Sequence, residues 1–251
     1  MQQYGDLIGK AVLVTGGASG IGAALVEAFC RAGSRVGFLD IDSDAAGRLV
    51  DKLGGDGFAP ASVACDLRDA DGVATAVEAL ATQLGGLDIL INNAARDDRQ
   101  DFDAVTAADW DESQAVNLRH LFFAAQAAVP YMRKAGGGAI VNFSSIAYLL
   151  NMGDIPSYAT AKAGIVGLTR SLAGRLGPEN IRVNCILPGM IVTERQKRLW
   201  LTEESIARMV DRQCLKRALE PGDLVGPCLF LASSASGGMT AQSIIVDGGA
   251  T

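Results

Sequence analysis

The run TGGASGIG at residues 15–22 follows a short apolar stretch and leads straight into a segment of helical period. Glycines let backbone N–H groups approach a ligand closely, and the first turn of a helix leaves its amides unpaired with partial positive charge. Such a turn suits a pyrophosphate. In the segment that follows, Ile21, Ala24, Leu25, Ala28 and Phe29 fall at i, i+3, i+4, i+7 and i+8, which makes one apolar stripe over residues 20–31. The combination predicts a βαβ crossover holding a dinucleotide at Gly16, Ser19, Gly20, Ile21 and Gly22.

Short apolar runs at residues 12–14, 36–39, 59–65, 89–91, 140–143, 181–186 and 244–246 alternate with longer segments of helical period. Most are unbroken runs, which implies that helices cover both faces of the sheet. The expected class is α/β: a doubly wound, seven-stranded parallel sheet of Rossmann type. Loops are short and no repeat divides the chain, so residues 1–251 are expected to form a single domain. Over residues 157–176, Ile165, Leu168, Leu172 and Leu176 form an expected buried stripe, beside alanines and glycines that suit close packing between subunits. Residues 189–214 then break the pattern with mixed charge and a tryptophan, as an inserted substrate lid would.

A formal charge of −6 argues against a nucleic-acid surface and points to a small-molecule partner. Cys30, Cys65, Cys185, Cys214 and Cys228 show neither CxxC nor Cys/His spacing, so no metal site and no disulfide framework is expected, only buried free thiols. The opening MQQYGDLIGK lacks the sections of a signal peptide, and no apolar run reaches the length of a membrane span. A cytoplasmic protein is expected, with no membrane partner.

Asp40 ends the second predicted strand, where a carboxylate accepts hydrogen bonds from the adenosine ribose hydroxyls. A 2′-phosphate would meet that charge, with Asp42 close behind, and neither Ser19 nor Ile41 supplies a cation. NAD is therefore the expected cofactor. Asp66, at the end of the third strand, is placed to cap the adenine pocket.

Tyr158 and Lys162 lie four residues apart on one predicted helix and so share a face. A free phenol with pKa near 10 is ionised only about one part in a thousand at neutral pH. A neighbouring ammonium that lowers it would make the tyrosine a usable acid/base. Ser144 and Ser145 follow the fifth strand at the carboxyl edge, where doubly wound sheets bind ligands, and a hydroxyl there can donate to a substrate oxygen. Asn117, in the helical stretch before that strand, is placed to hold through its side-chain amide a water linking Lys162 to solvent. His120, one turn on, is expected on the helix surface or at an interface, without a catalytic role.

These motifs together, with Asp66, NNA at residues 92–94, YATAK at 158–162 and the turn at Pro188 and Gly189, resemble the short-chain dehydrogenase/reductase family over essentially the whole chain. The resemblance implies a catalytic set of Asn117, Ser145, Tyr158 and Lys162. Ser145 would orient the substrate oxygen, Tyr158 exchange its proton, Lys162 lower the tyrosine pKa and hold the nicotinamide ribose, and Asn117 maintain the proton relay. It also places Leu67, Asn93, Ala94, Pro188, Gly189, Ile191 and Thr193 with the glycine loop and Asp40 around the cofactor, and implies a homotetramer. One departure is visible: the family's NNAG is NNAA here, with Ala95 in place of glycine.

Around the substrate, NNAARDDR brings Arg96 and Arg99, and TERQKRLWL at residues 193–201 is rich in polar groups. Donors of this kind suit a hydroxylated or acidic small molecule. Arg96, Ser145, Asn151 and Trp200 are the candidate substrate contacts. The first expectation is oxidation of a sugar or sugar acid, in particular an aldose at C1 to the lactone, because NNAARDDR and the polar lid resemble aldose 1-dehydrogenases of the family. The alternatives are a 3-oxoacyl-carrier or other ketone reductase, and a catalytically silent nucleotide-binding regulator, which would be expected to have lost Tyr158 or Lys162.

Overall fold

The computed structural model describes residues 4–251. The expectation about a signal peptide falls partly on residues 1–3, outside the described residues. Seven parallel strands, β1 (Ala11–Thr15), β2 (Arg35–Asp40), β3 (Ala61–Ala64), β4 (Ile89–Asn92), β5 (Gly138–Phe143), β6 (Ile181–Pro188) and β7 (Ser243–Val246), form one sheet in the order β3-β2-β1-β4-β5-β6-β7. The order reverses between β1 and β4, which opens a crevice at their carboxyl ends. Helix α1 (Gly20–Arg31) leaves β1, α2 (Ser43–Gly55) leaves β2 and α3 (Ala70–Gln83) leaves β3. Between β4 and β5 run α4 (Ala107–Gln114), a π-helical turn (Ala115–Arg119) and α5 (His120–Lys134). Helix α6 (Pro156–Leu176) follows β5, α7 (Glu194–Leu199) and α8 (Glu203–Arg212) follow β6, and α9 (Val225–Ala232) precedes β7.

Strands β1, β2, β4, β5 and β6 read as continuous apolar runs because both faces are buried. Val12 and Val14 pack with Leu25 and Phe29 of α1 and Cys228 and Leu231 of α9, whereas Leu13 between them packs with Val77 and Leu80 of α3 and Ala124 and Met132 of α5. Edge strand β3 is shorter than its predicted run of 59–65, and its residues alternate between half-buried and exposed. No helix of the described residues is long and apolar enough to cross a membrane.

Three expectations are corrected here. On α6 the buried line runs through Ala161, Ile165, Thr169, Ala173 and Leu176, and Leu168 and Leu172 are only half-buried, so the contact face is turned by about one residue toward smaller side chains. Cys214 is exposed, whereas the other four thiols are buried. His120 is buried within the chain at 1% exposure, not at a surface, and its Nε2 lies 3.2 Å from the Ala94 carbonyl.

Candidate active site

The glycine loop is packed as closely as its composition allows. Gly16 has φ of 65°, and a Cβ on Gly22 would stand 1.8 Å from the Gly16 carbonyl oxygen, which excludes any side chain at that start of α1. No side chain caps α1 at Ser19, so its first amides face outward for an anion. The loop is held from two sides. Asn93 Nδ2 donates to the Thr15 and Gly16 carbonyls at 3.1 and 3.0 Å, and the Thr15 hydroxyl accepts from the amides of Asn93 and Ala94. From the other side, Asp40 Oδ2 accepts from the Ala18 amide at 2.8 Å. These features fit a dinucleotide, with Asp40 joined to the loop and still presenting a carboxylate beside it. Asp66 is engaged by the Arg68 guanidinium and amide, which hold its carboxyl below the usual carboxylate range. Leu67 beside it is half-buried.

The carboxyl ends of β4, β5 and β6 and the start of α6 enclose a cavity of about 190 Å³. Ser145, Tyr158 and Lys162 all line it, as do Ile21, Asn93, Pro188, Gly189, Ile191 and Thr193. Ser145 follows β5 and caps a short 3₁₀ turn, its Oγ accepting from the Ala147 amide at 3.0 Å. Tyr158 and Lys162 stand one turn apart on α6, and Lys162 Nζ lies 5.5 Å from the centroid of the Tyr158 ring.

Burial dominates the electrostatics of the pair. It pushes the Tyr158 phenol up, reinforced by the charge of Asp97 and opposed by the Ser145 hydroxyl, Arg99 and Arg195. Burial also brings Lys162 down to about 8, and its Nζ donates to the Phe143 carbonyl at 2.9 Å. Both groups lose water, so burial disfavours the charged form of each.

Asn117 sits in the π-helical turn, a widening that recurs at functional sites. It is buried at 1% exposure, and its side chain pairs with the backbone of Arg96, accepting from the amide at 2.8 Å and donating to the carbonyl at 3.0 Å. The Ser113 carbonyl takes a further bond from Nδ2 at 3.0 Å. The side-chain amide thus ties the loop after β4 to the end of α4. His120 holds the same loop through Ala94, and burial keeps its imidazole neutral, with a pKa brought down to about 3. Ala95 lies in the cavity wall and is not among the positive-φ residues, so alanine is tolerated in NNAA.

The substrate candidates divide. Trp200 lines the cavity together with Ser145. Arg96 does not; it lines a separate cavity of about 320 Å³, pairing with Glu112 at 3.0 Å and with Asp98. Asn151 is exposed and lies outside the lining. Arg99, which the sequence already brought to the substrate side, lines the cavity, and so do Asp97 and Gln196, which were not among the candidate substrate contacts. Asp97 pairs with Arg195 at 3.2 Å, and the Arg99 guanidinium lies 5.6 Å from the Trp200 ring centroid. Beneath the site, Asn92 Nδ2 donates to Asn142 Oδ1 and Asn142 Nδ2 to the Thr169 hydroxyl, each at 2.9 Å. This buried chain joins β4, β5 and α6. The side-by-side strand order is the only signal that would have paired Asn92 with Asn142.

A family model described as enoyl-(acyl carrier protein) reductase matches residues 16–251. The protein named "Probable galactose dehydrogenase" of Rhizobium meliloti is 63% identical over 98% of this chain and 97% of its own. This chain belongs to the short-chain dehydrogenase/reductase family. The D-xylose 1-dehydrogenase of Caulobacter vibrioides is 44% identical, covering 98% of this chain and 97% of its own. Among solved structures, a 7α-hydroxysteroid dehydrogenase complexed with NADH and 7-oxo glycochenodeoxycholic acid superposes with a TM-score of 0.92 at 33% identity, covering 97% of this chain and 94% of that one. This short-chain dehydrogenase/reductase is an oxidoreductase that uses a nicotinamide cofactor.

Proposed function

We propose that this enzyme oxidises the C1 hydroxyl of an aldose to the lactone with NAD. The observation that carries the reading is the cavity around Tyr158, whose lining combines polar groups of Asp97, Arg99, Gln196 and Trp200 with the apolar side chains of Ile146, Leu150 and Met152. A steroid or acyl chain would leave the partnerless Gln196 Oε1 and Trp200 Nε1 unmet, whereas sugar hydroxyls pair with them. The names of the two curated relatives, a galactose and a xylose dehydrogenase, support the same class. Asp40 supports NAD, because a 2′-phosphate would place its charge against that carboxylate.

In this proposal the glycine loop, Asp40, Asp66, Leu67, Asn93, Ala94, Pro188, Gly189, Ile191 and Thr193 hold the dinucleotide, and Lys162 holds its nicotinamide ribose. When bound, the nicotinamide supplies the hydride acceptor. Ser145 orients the C1 hydroxyl through its own hydroxyl, and Tyr158 takes that proton. The Lys162 ammonium beside the ring favours the phenolate whenever it is charged. Asn117 acts as a positioning residue by fixing the backbone at Arg96 and with it the loop that carries Asp97. Residues 189–214, with α7 and α8, serve as the substrate lid of a single domain.

We also place the enzyme as a cytoplasmic homotetramer. Four buried free thiols support a reducing compartment, and the exposed small residues Ala163, Gly167 and Gly174 on α6 support close subunit contact.

Nicotinamide absorbance with NAD and NADP is the test, across aldoses, sugar acids, polyols, a steroid alcohol and a 3-oxoacyl thioester. An aldose with NAD is expected to react fastest and to yield lactone. Turnover of acyclic diols or steroids with none of any aldose or sugar acid would overturn the reading.

A further inference from the structure

We propose that Gln196 and Trp200 form a donor and acceptor pair that reads sugar hydroxyls remote from the reacting carbon. The inference rests on the aldose reading above and specifies how that substrate class is recognised. The two residues are four apart, so α7 and its last turn bring them to one side, with the Trp200 amide donating to the Gln196 carbonyl at 2.8 Å. Both line the cavity that contains Ser145 and Tyr158. The indole Nε1 of Trp200 and the Oε1 of Gln196 are shut off from solvent and have no hydrogen-bond partner.

Unpaired buried polar atoms are uncommon, and two of them on side chains that line a substrate cavity call for a ligand that satisfies both once those side chains turn toward it. An indole N–H only donates and an amide oxygen only accepts, whereas a hydroxyl does both. Adjacent hydroxyls of a sugar ring meet the two demands together, while a methylene chain leaves both unmet. The reacting oxygen is addressed from β5 and α6, by Ser145 and Tyr158, so the pair on α7 is left for the hydroxyls of other carbons. Its position is held by two side-chain contacts. Arg99, paired with Asp154 at 3.1 Å, lies over the indole, and Arg195 of α7 is tied to Asp97.

Trp200→Phe removes the N–H and keeps a ring beneath Arg99, and Gln196→Met removes the amide with little change in volume. Each is compared with wild type on the preferred aldose and on its monodeoxy analogues at every carbon other than C1. Wild type is expected to discriminate against at least one deoxy sugar by about ten- to a hundredfold in kcat/KM. Each variant should lower kcat/KM for the parent aldose by a similar factor, mainly through KM, and discriminate less than about threefold at that carbon, with KM for NAD unchanged. Variants that retain wild-type discrimination at every carbon would overturn the pair while leaving the aldose reading intact. Failure of wild type to oxidise any aldose would instead remove the reading on which the pair rests.

Discussion

Asp97 and Arg195 meet at 3.2 Å, joining the loop after β4 to α7 beside the Tyr158 phenol. The carboxylate is one of the groups that push Tyr158 up, and it also raises Lys162 against the effect of burial. One pair thus links the segment after β6 to Tyr158, the proposed acid/base.

A change of pH profile should follow from its removal. A negative charge near a phenol disfavours the phenolate, so Asp97→Asn should lower the Tyr158 pKa. The ascending limb of kcat/KM for oxidation should then move to lower pH, by up to about one unit. Initial rates from pH 6 to pH 10 check it, and a limb displaced to higher pH would contradict it.

Tyr158→Phe keeps the ring against Lys162 and deletes the proton acceptor. Turnover should fall by about 10²- to 10⁴-fold, while the affinity for NADH, followed by its fluorescence, changes little. Near-normal turnover would refute the acid/base assignment.

Asp40→Ala removes both the carboxylate at the end of β2 and the acceptor of the Ala18 amide. KM for NAD should rise about tenfold or more, and the preference for NAD over NADP should shrink. Steady-state kinetics with the two cofactors give the ratio, and an unchanged ratio would sink the role of Asp40.

Acid should weaken the fold through His120. Its folded pKa is brought from 6.5 down to about 3, so the unfolded chain binds a proton that the folded chain refuses between those values. Its contribution is present in full above pH 6.5 and is lost as pH falls below it, by at most about 1.4 kcal/mol per pH unit. Chemical denaturation at pH 7, 6 and 5 should show a shallower loss in His120→Gln than in wild type. Parallel losses would place the acid sensitivity elsewhere.

Much of the architecture was legible in the chain because the signals are local. A buried strand needs an apolar run and a crossover helix a stripe of helical period, and TGGASGIG can only be a tight turn between the two. Tyr158 and Lys162 share a face by helix geometry alone, and Ser145 follows from the end of a strand. The α6 stripe was misplaced because small residues such as Ala161 and Ala173 carry little hydrophobic signal, although they are what close packing selects.

The sequence by itself determined the order of elements, the glycine turn and the pairing of Tyr158 with Lys162 on one helix face, since each depends on residues a few positions apart. Tertiary structure alone decided which side chains line the cavity. Arg96 turns away because Glu112 and Asp98 pair with it, whereas Asp97 meets Arg195 from nearly a hundred residues further on. A charged side chain takes the partner that the folded backbone brings within reach, and spacing along the chain does not encode that distance.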